Sequence, residues 1–387
     1  MIEANHIKEN IASFSFPRLS GTIDEKNAFS LAKTKLENLN LNPSVQEFKF
    51  STFYSRVYPK IAFSFGFILL FMFFLNIETI LFPIISLVII FILILLFVLC
   101  RRPEKIRIGK NLNSQNLFVK LYPREKKSCE RNILFICHLD SKGQKISILA
   151  RIRAIRSWVF SAIIVIISIF LKNYVLIQYF QILFIIGLLT LSINILATFL
   201  ILFNTTNNKS KGSIDNASGI ACVLELIKYY MNLESRLESF NAWFIFTGAE
   251  ECGTMGIRNF YTNINDFDKH RTIIFNFDVI AKSIYIFQGK NVTNDVKTLY
   301  KMFLNNKEGV LIKKNPKKII FGSHSDGYFL KNKKFQGFEM QDMESYKYIH
   351  TINDTKDKID PTQLKKLCEV ITNILREYDI NIKNLYN

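Results

Sequence analysis

Two stretches, residues 61–100 and 157–204, are almost purely apolar, and nothing else limits this chain's fold as strongly. The first runs for 40 positions with one charge, Glu78. As a single helix it would be ~60 Å long, about twice the thickness of a hydrocarbon core. The polar break at Asn76-Ile77-Glu78-Thr79 falls where a hairpin turns. The reading is therefore two spans, about 61–77 and 80–100. The second stretch breaks once at Lys172-Asn173-Tyr174, giving spans of about 157–172 and 179–203. The first of these is short, which allows a tilted or re-entrant path. A mean hydropathy of +0.16 over the whole chain agrees with part of it lying in lipid.

Charge sets the expected orientation. Fourteen Lys and Arg residues, from Arg56 and Lys60 through Arg101, Arg102 and Arg151 to Lys209 and Lys211, cluster at the outer ends of the two hairpins. The hairpin turns hold one, Lys172. That asymmetry predicts a multi-pass protein of the cell membrane with both termini and every polar segment cytoplasmic. The same residues supply much of the +18 net charge. Contact with a bilayer of anionic headgroups explains them, and no zinc-finger, helix-turn-helix or RNP pattern points to nucleic acid. The first 50 residues lack a basic segment followed by an apolar one, so no secretory signal is expected there. The six cysteines form no CxxC pair, which fits a reducing compartment better than a disulfide framework.

The remaining sequence alternates strands and helices. Thr22-Ile-Asp-Glu25 reads as a capping box opening an amphipathic helix that carries Leu31 and Leu36. Strands are expected at 45–50, 117–122, 133–137, 242–247 and 272–277, and helices at 217–231, 253–261 and 361–378. The predicted class is α/β, a mixed central sheet flanked by helices, with four transmembrane helices inserted as two hairpins. The domains expected are a catalytic unit of residues 1–60, 101–156 and 205–387, and hairpins at 61–100 and 157–204.

Five polar elements fall at strand or helix ends: His138-Leu-Asp140, Asp215-Asn216, Glu250-Glu251, Asp278 and His350. Each alone has an ordinary structural explanation. Asp215-Asn216, for instance, is by default a helix N-cap. Together they form a nitrogen and oxygen donor set at the carboxyl ends of one sheet, where α/β sites form. Such a set suits zinc or a similar divalent ion. In the pair Glu250-Glu251, neighbouring side chains diverge, so one can ligate while the other serves as a base.

These segments resemble Peptidase family M28, the leucyl aminopeptidase and glutamate carboxypeptidase type. The matching stretches are NILFICHLDS (132–141), GSIDNASGIACVLELIK (212–228), FIFTGAEECGTMGIRNF (244–260), FNFDVI (275–280), SHSDGYF (323–329) and YIHTINDTKDKID (348–360), in family order. The resemblance implies two divalent ions, zinc first among them. His138, Asp215 and Asp278 would hold one, and Asp215, Glu251 and His350 the other, with Asp215 shared. It implies Glu250 as general base and Asp140 as the carboxylate that orients His138. The family's His after the Ser-Asp pair is replaced here by Gly327, which puts the substrate pocket in question. His324 reads first as a surface-loop histidine, with an oxyanion donor as the alternative; His6 and His270 have no motif context and read as ordinary surface residues. The activity implied is an aminopeptidase acting on peptides. A carboxypeptidase, with Lys211 or Arg258 receiving the substrate carboxylate, a glutaminyl-cyclase-like enzyme and a non-catalytic peptide-binding scaffold are the alternatives. Oligomeric state is left open.

One topological consequence is independent of the resemblance. His138 and Asp215 flank the second apolar block. If they meet at one metal, that block crosses the membrane an even number of times.

Overall fold

Strands apolar on both faces belong in the buried middle of a parallel sheet, and two such segments lie at the centre of the fold. The computed structural model describes residues 1–77, 79–124, 130–288, 292–305, 312–313 and 325–386. Glu78, Cys129 and His324 lie outside the described residues.

In chain order the elements are α1 (Ala4–Phe14), α2 (Ile23–Glu37), β1 (Ser44–Ser51), α3 (Tyr58–Phe74), α4 (Leu81–Leu99), β2 (Asn111–Leu121), β3 (Asn132–His138), β4 (Gly143–Gln144), α5 (Ile148–Phe170), α6 (Phe180–Phe203), β5 (Thr206–Asn207), α7 (Ser218–Met231), β6 (Asn241–Thr247), α8 (Met255–Ile264), β7 (Thr272–Phe277), β8 (Ile284–Gln288), α9 (Asn294–Asn305), β9 (Ile312–Lys313), α10 (Asp326–Asn332), β10 (Gln336–Gln341) and α11 (Pro361–Tyr386). The main sheet runs β1-β2-β6-β3-β7-β10-β8-β9. Its centre, β6-β3-β7-β10, is parallel throughout, and antiparallel pairs join β1 to β2, β2 to β6 and β10 to β8.

Parallel strands bring their carboxyl ends to one edge. The register aligns His138 with Thr247 and Ile136 with Asn276, so His138 stands level with Asp278 two residues on. Alternation along β3 splits the core. Ile133, Phe135 and Cys137 pack with α1, α2, α7 and α11, whereas Leu134 and Ile136 pack with α8 and α10. Phe135 is fully buried, and its ring centroid lies 5.1 Å from that of Phe244, 5.5 Å from Phe275 and 5.9 Å from Tyr230.

Four helices are long and apolar enough to cross a bilayer: Phe53–Phe74, Leu81–Leu99, Ile148–Val175 and Ile177–Phe203. Small and polar residues let them approach closely. Trp158 Nε1 donates to Thr198 Oγ1 at 3.0 Å, and Asn194 Nδ2 donates to the Trp158 carbonyl and to Ser161 Oγ, both at 2.9 Å. A Cβ at Gly187 would lie 2.1 Å from Phe74 Cε2, so α3 and α6 touch only because that side chain is missing. At the far end the amides of Asn76 and Asn173 pair at 3.0 Å, tying one hairpin tip to the other.

Three expectations need correction. The third apolar helix begins at Ile148 rather than 157, with Ser147 Oγ accepting from Ala150 N–H. Arg151, Arg153 and Arg156 do not break a helix, so the span reaches 28 residues and needs no re-entrant path. Helix α2 does start after Thr22, but Thr22 Oγ1 donates to the Leu19 carbonyl and caps nothing. Glu25 turns inward instead, accepting from Gly21 N–H, Ser114 Oγ and Ala249 N–H. Asp215 is not an N-cap either; it sits in the tight turn Ser213–Ala217 ahead of α7 with its carboxylate aimed away from the helix. The five described cysteines are free and buried.

Because Phe135 is fully buried among Tyr230, Phe244 and Phe275, Phe135→Ala should destabilise the fold by about 3–5 kcal/mol. Thermal unfolding of the detergent-purified variant checks this.

Candidate metal centre

The candidate residues arrive at the carboxyl edge of the parallel strands from five segments, with Asp140 two residues beyond His138. His138 ends β3, Asp278 follows β7, and Glu250 and Glu251 occupy the turn after β6. Asp215 comes from the turn before α7, and His350 from the connection after β10. All are buried.

Asp215 stands between the two histidines. Its Oδ1 is 3.1 Å from His138 Nε2, and its Oδ2 is 3.1 Å from His350 Nε2. His138 Nε2 also faces Asp278 Oδ1 at 3.5 Å, and His350 Nε2 faces Glu251 Oε1 at 2.7 Å. Donor atoms of His138, Asp215 and Asp278 lie within 4.8 Å of one another, as do those of Asp215, Glu251 and His350. Two three-residue groups therefore share one carboxylate.

Two features show that these residues suit divalent ions. His138 Nε2 and Glu251 Oε1 are buried and make no well-aligned hydrogen bond; their close neighbours are other donor atoms of the two groups. Asp215, Asp278, Glu250 and Glu251 bring four carboxylates into one cluster. Uncompensated buried charge is expensive, and divalent cations would supply the matching positive charge.

The electrostatics agree. Burial opposes ionisation of Asp215, but both histidines outweigh it and hold the carboxyl well below its usual range. Burial likewise opposes Glu251, where His350 and Lys142 prevail and bring the pKa down to about 2. Burial pushes Asp278 up to about 6, although His138 pulls the other way. Glu250 is pushed well above the ordinary carboxylate range, first by burial and then by Glu251, Asp278 and Asp326. Burial disfavours a charged His138, but Asp140, Asp215 and Asp278 overcome it and favour the protonated ring. A metal ion displaces such a proton from a ligand nitrogen. Glu250 lines the cavity beside the cluster and sits apart from both groups. A carboxylate of raised pKa in that position can accept and return a proton.

Asp140 supports this arrangement differently than expected. Its main-chain oxygen lies 3.1 Å from His138 Nδ1 and its Oδ1 3.4 Å away, so it does face the ring. Its carboxylate mainly accepts from the backbone N–H groups of Glu250 and Glu251, both at 3.0 Å, and from Ser20 Oγ. One side chain thus fixes both the histidine and the turn that carries the two glutamates.

Several participants carry no motif. Lys142 Nζ pairs with Glu251 Oε2 at 2.6 Å, orienting that carboxylate with its other oxygen toward His350. Arg18 is fully buried and donates to the carbonyls of Phe14, Phe16, Leu139, Lys211 and Gly212. It clamps the segment after His138 to the one before Asp215. Burial lowers its pKa to about 10, and Asp354, Asp140 and Asp215 oppose the shift. Asp354 accepts from Ile214 N–H at 2.6 Å, and burial pushes its carboxyl up to about 7. Neither Arg18 nor Lys142 stands in a recurrent pattern, and only the long-range contacts identify them.

The departure at Gly327 has a packing reason. A Cβ there would lie 2.9 Å from Asn276 Cβ and 2.9 Å from Glu339 Cγ, so no side chain fits between α10 and the sheet. His6 stands half-exposed beside Lys228, and His270 is exposed, both away from the cluster. Lys211 and Arg258 are not among the residues lining the cavity; Lys211 is exposed and Arg258 pairs with Glu104 at 3.4 Å. The cations that do line it are Arg56, Lys60, Lys142 and Arg151.

The model of Peptidase family M28 matches residues 197–375. No curated protein matches the sequence. Among solved structures, an aminopeptidase from Aneurinibacillus sp. strain AM-1 superposes with a TM-score of 0.57 at 14% identity, covering 97% of this chain and 93% of that one. A zinc aminopeptidase from Bacillus subtilis gives 0.56 at 12% identity, with 97% and 95% covered. A glutaminyl cyclase from Fimbriiglobus ruber gives 0.55 at 13%, with 97% and 95% covered. These likenesses show a common fold.

Arg18→Met removes the donors of five carbonyls and should cost about 3 kcal/mol or more, read as a lower midpoint of denaturant unfolding. Lys142→Ala removes the partner of Glu251 Oε2 and should weaken zinc binding about 10–100-fold. Zinc titration against a competing chelator measures it.

Proposed function

We propose that this chain, which carries a Peptidase family M28 domain over residues 197–375, is a membrane-embedded dinuclear zinc aminopeptidase. The observation behind this reading is the sharing of Asp215 between two donor groups, with Glu250 beside them in one cavity of about 810 Å³. In this reading His138, Asp215 and Asp278 hold one ion, and Asp215, Glu251 and His350 the other. Divalent ions held there supply Lewis acidity, which lowers the pKa of a water and polarises a peptide carbonyl.

The chain's own groups do the rest. Glu250, its pKa raised by burial, takes the proton of the attacking water and delivers it to the departing amine nitrogen. Asp140 holds the Glu250 backbone N–H in place, so the base keeps its distance from the reacting carbon. Tyr346 lines the same cavity, its hydroxyl donating to Gln341 Oε1 at 2.9 Å. Overall, the amide C–N bond breaks, hydroxide adds to the acyl carbon and a proton to the amine.

Residues 1–60, 101–156 and 205–387 form the catalytic unit in this reading, with the hairpins 61–100 and 157–204 inserted in its connections. The clustered Lys and Arg residues at the hairpin ends support a cytoplasmic catalytic unit and termini, against anionic headgroups of the cell membrane. A carboxypeptidase is the second reading, favoured by one observation: Arg56, Lys60 and Arg151 line the cavity and suit a substrate carboxylate.

Glu250→Gln should keep both zinc ions and lose roughly 10²–10⁴-fold in turnover. Metal analysis of the purified variant reads the first point, and mass spectrometry of a peptide pool, half of it N-acetylated, reads the second. Chelator-sensitive loss of single N-terminal residues from the free-amine half is the expected result. Trimming at C-termini in both halves would replace the aminopeptidase reading with the carboxypeptidase one. Full activity in Glu250→Gln would remove the glutamate from its role.

A further inference from the structure

The cavity has two unlike walls. One consists of Asp215, Glu250, Glu251, Asp278 and His350. The other is built from Ala62 and Phe63 of α3, Ile148 and Ile155 of α5, and Ile201 of α6. Three of the four helices long and apolar enough to cross a bilayer thus wall the site directly. Around these residues the same helices turn large apolar side chains outward: Ile68 on α3, Phe160 on α5 and Phe203 on α6 are all exposed. Such surfaces belong in lipid.

Cations give the depth. Lys60 and Arg151 line the cavity on α3 and α5, and Arg56 lies on the turn leading into α3. Basic side chains at the ends of membrane helices mark the headgroup level. Phe63 lies three residues beyond Lys60 and Ile155 four beyond Arg151. Ala62 lies two residues beyond Lys60, and Ile155 stands between Arg153 and Arg156, so the apolar wall and the basic residues share one level, where headgroups meet hydrocarbon. A peptide entirely in water gains little from such a wall, whereas a chain emerging from the bilayer meets it first.

We infer that the substrate is a peptide anchored in the membrane. An apolar segment lies in the bilayer, and its free terminus passes between α3, α5 and α6 to the cluster. This rests on the peptidase reading of the site and adds the substrate class and its route.

The test uses the full chain in vesicles of phosphatidylcholine and phosphatidylglycerol, loaded with zinc. Three peptides share one N-terminal sequence. One is free in solution. One carries a palmitoyl group directly after that sequence. One carries the same palmitoyl group after a Gly/Ser spacer of ~20 residues, about 25 Å in mean length, which keeps it on the membrane but releases its terminus into water. The short-tethered peptide should be cut at least tenfold faster than both others. Its advantage over the long-tethered one should shrink toward unity in Ala62→Trp, which fills the apolar wall. That ratio is internal to each preparation, so partial unfolding of the variant cancels. Equal rates for short and long tethers, or a faster soluble peptide, would overturn the membrane route and leave the peptidase reading standing. No zinc-dependent cleavage of any of the three would overturn the peptidase reading, and this inference with it.

Discussion

Everything in this structure is arranged around the contact of one carboxylate with two histidines. Asp215 Oδ1 meets His138 and Asp215 Oδ2 meets His350, each at 3.1 Å. In sequence these residues are far apart, and an apolar block of 157–204 separates the first two. Because they meet, the chain must leave the carboxyl edge of the sheet and return to the same side, and α5 and α6 do this as an antiparallel pair. The hairpin geometry is thus a consequence of the site as much as of lipid.

The contact needs rigid support. Four buried carboxylates repel one another, and only firmly held backbone keeps them close. The parallel strands provide part of that hold by bringing His138, the turn after Thr247 and Asp278 to one edge in register. Two buried side chains provide the remainder. Arg18 ties the segment after His138 to the one before Asp215, and Asp140 ties His138 to the turn of Glu250 and Glu251. Both act on backbone groups, so each fixes the position of a ligand it does not itself replace.

The membrane-length helices also shape the cavity. Their ends form one of its walls, and their basic residues line it. The cavity therefore has a charged wall at the edge of the sheet and an apolar wall of helix side chains.

Much of this was legible in the sequence. The apolar runs required membrane-length helices, since their lengths and near-absence of charge leave no other stable state. The strand pattern and the ordered ligand motifs pointed to the α/β class and to the seven residues that gather at its edge. The sequence could not set the beginning of α5, because the arginines at 151, 153 and 156 are polar yet helical, and hydropathy alone does not register them. Nor could it find Glu25, which resembles an ordinary capping residue until Ser114 and Ala249 draw it inward. Arg18, Lys142 and the apolar wall of Ala62, Ile155 and Ile201 likewise emerge only in three dimensions. Local pattern records what a residue prefers near itself in the chain; their roles depend on distant partners, 121 positions away for Arg18 and Leu139 and 109 for Lys142 and Glu251, which only the folded chain brings together.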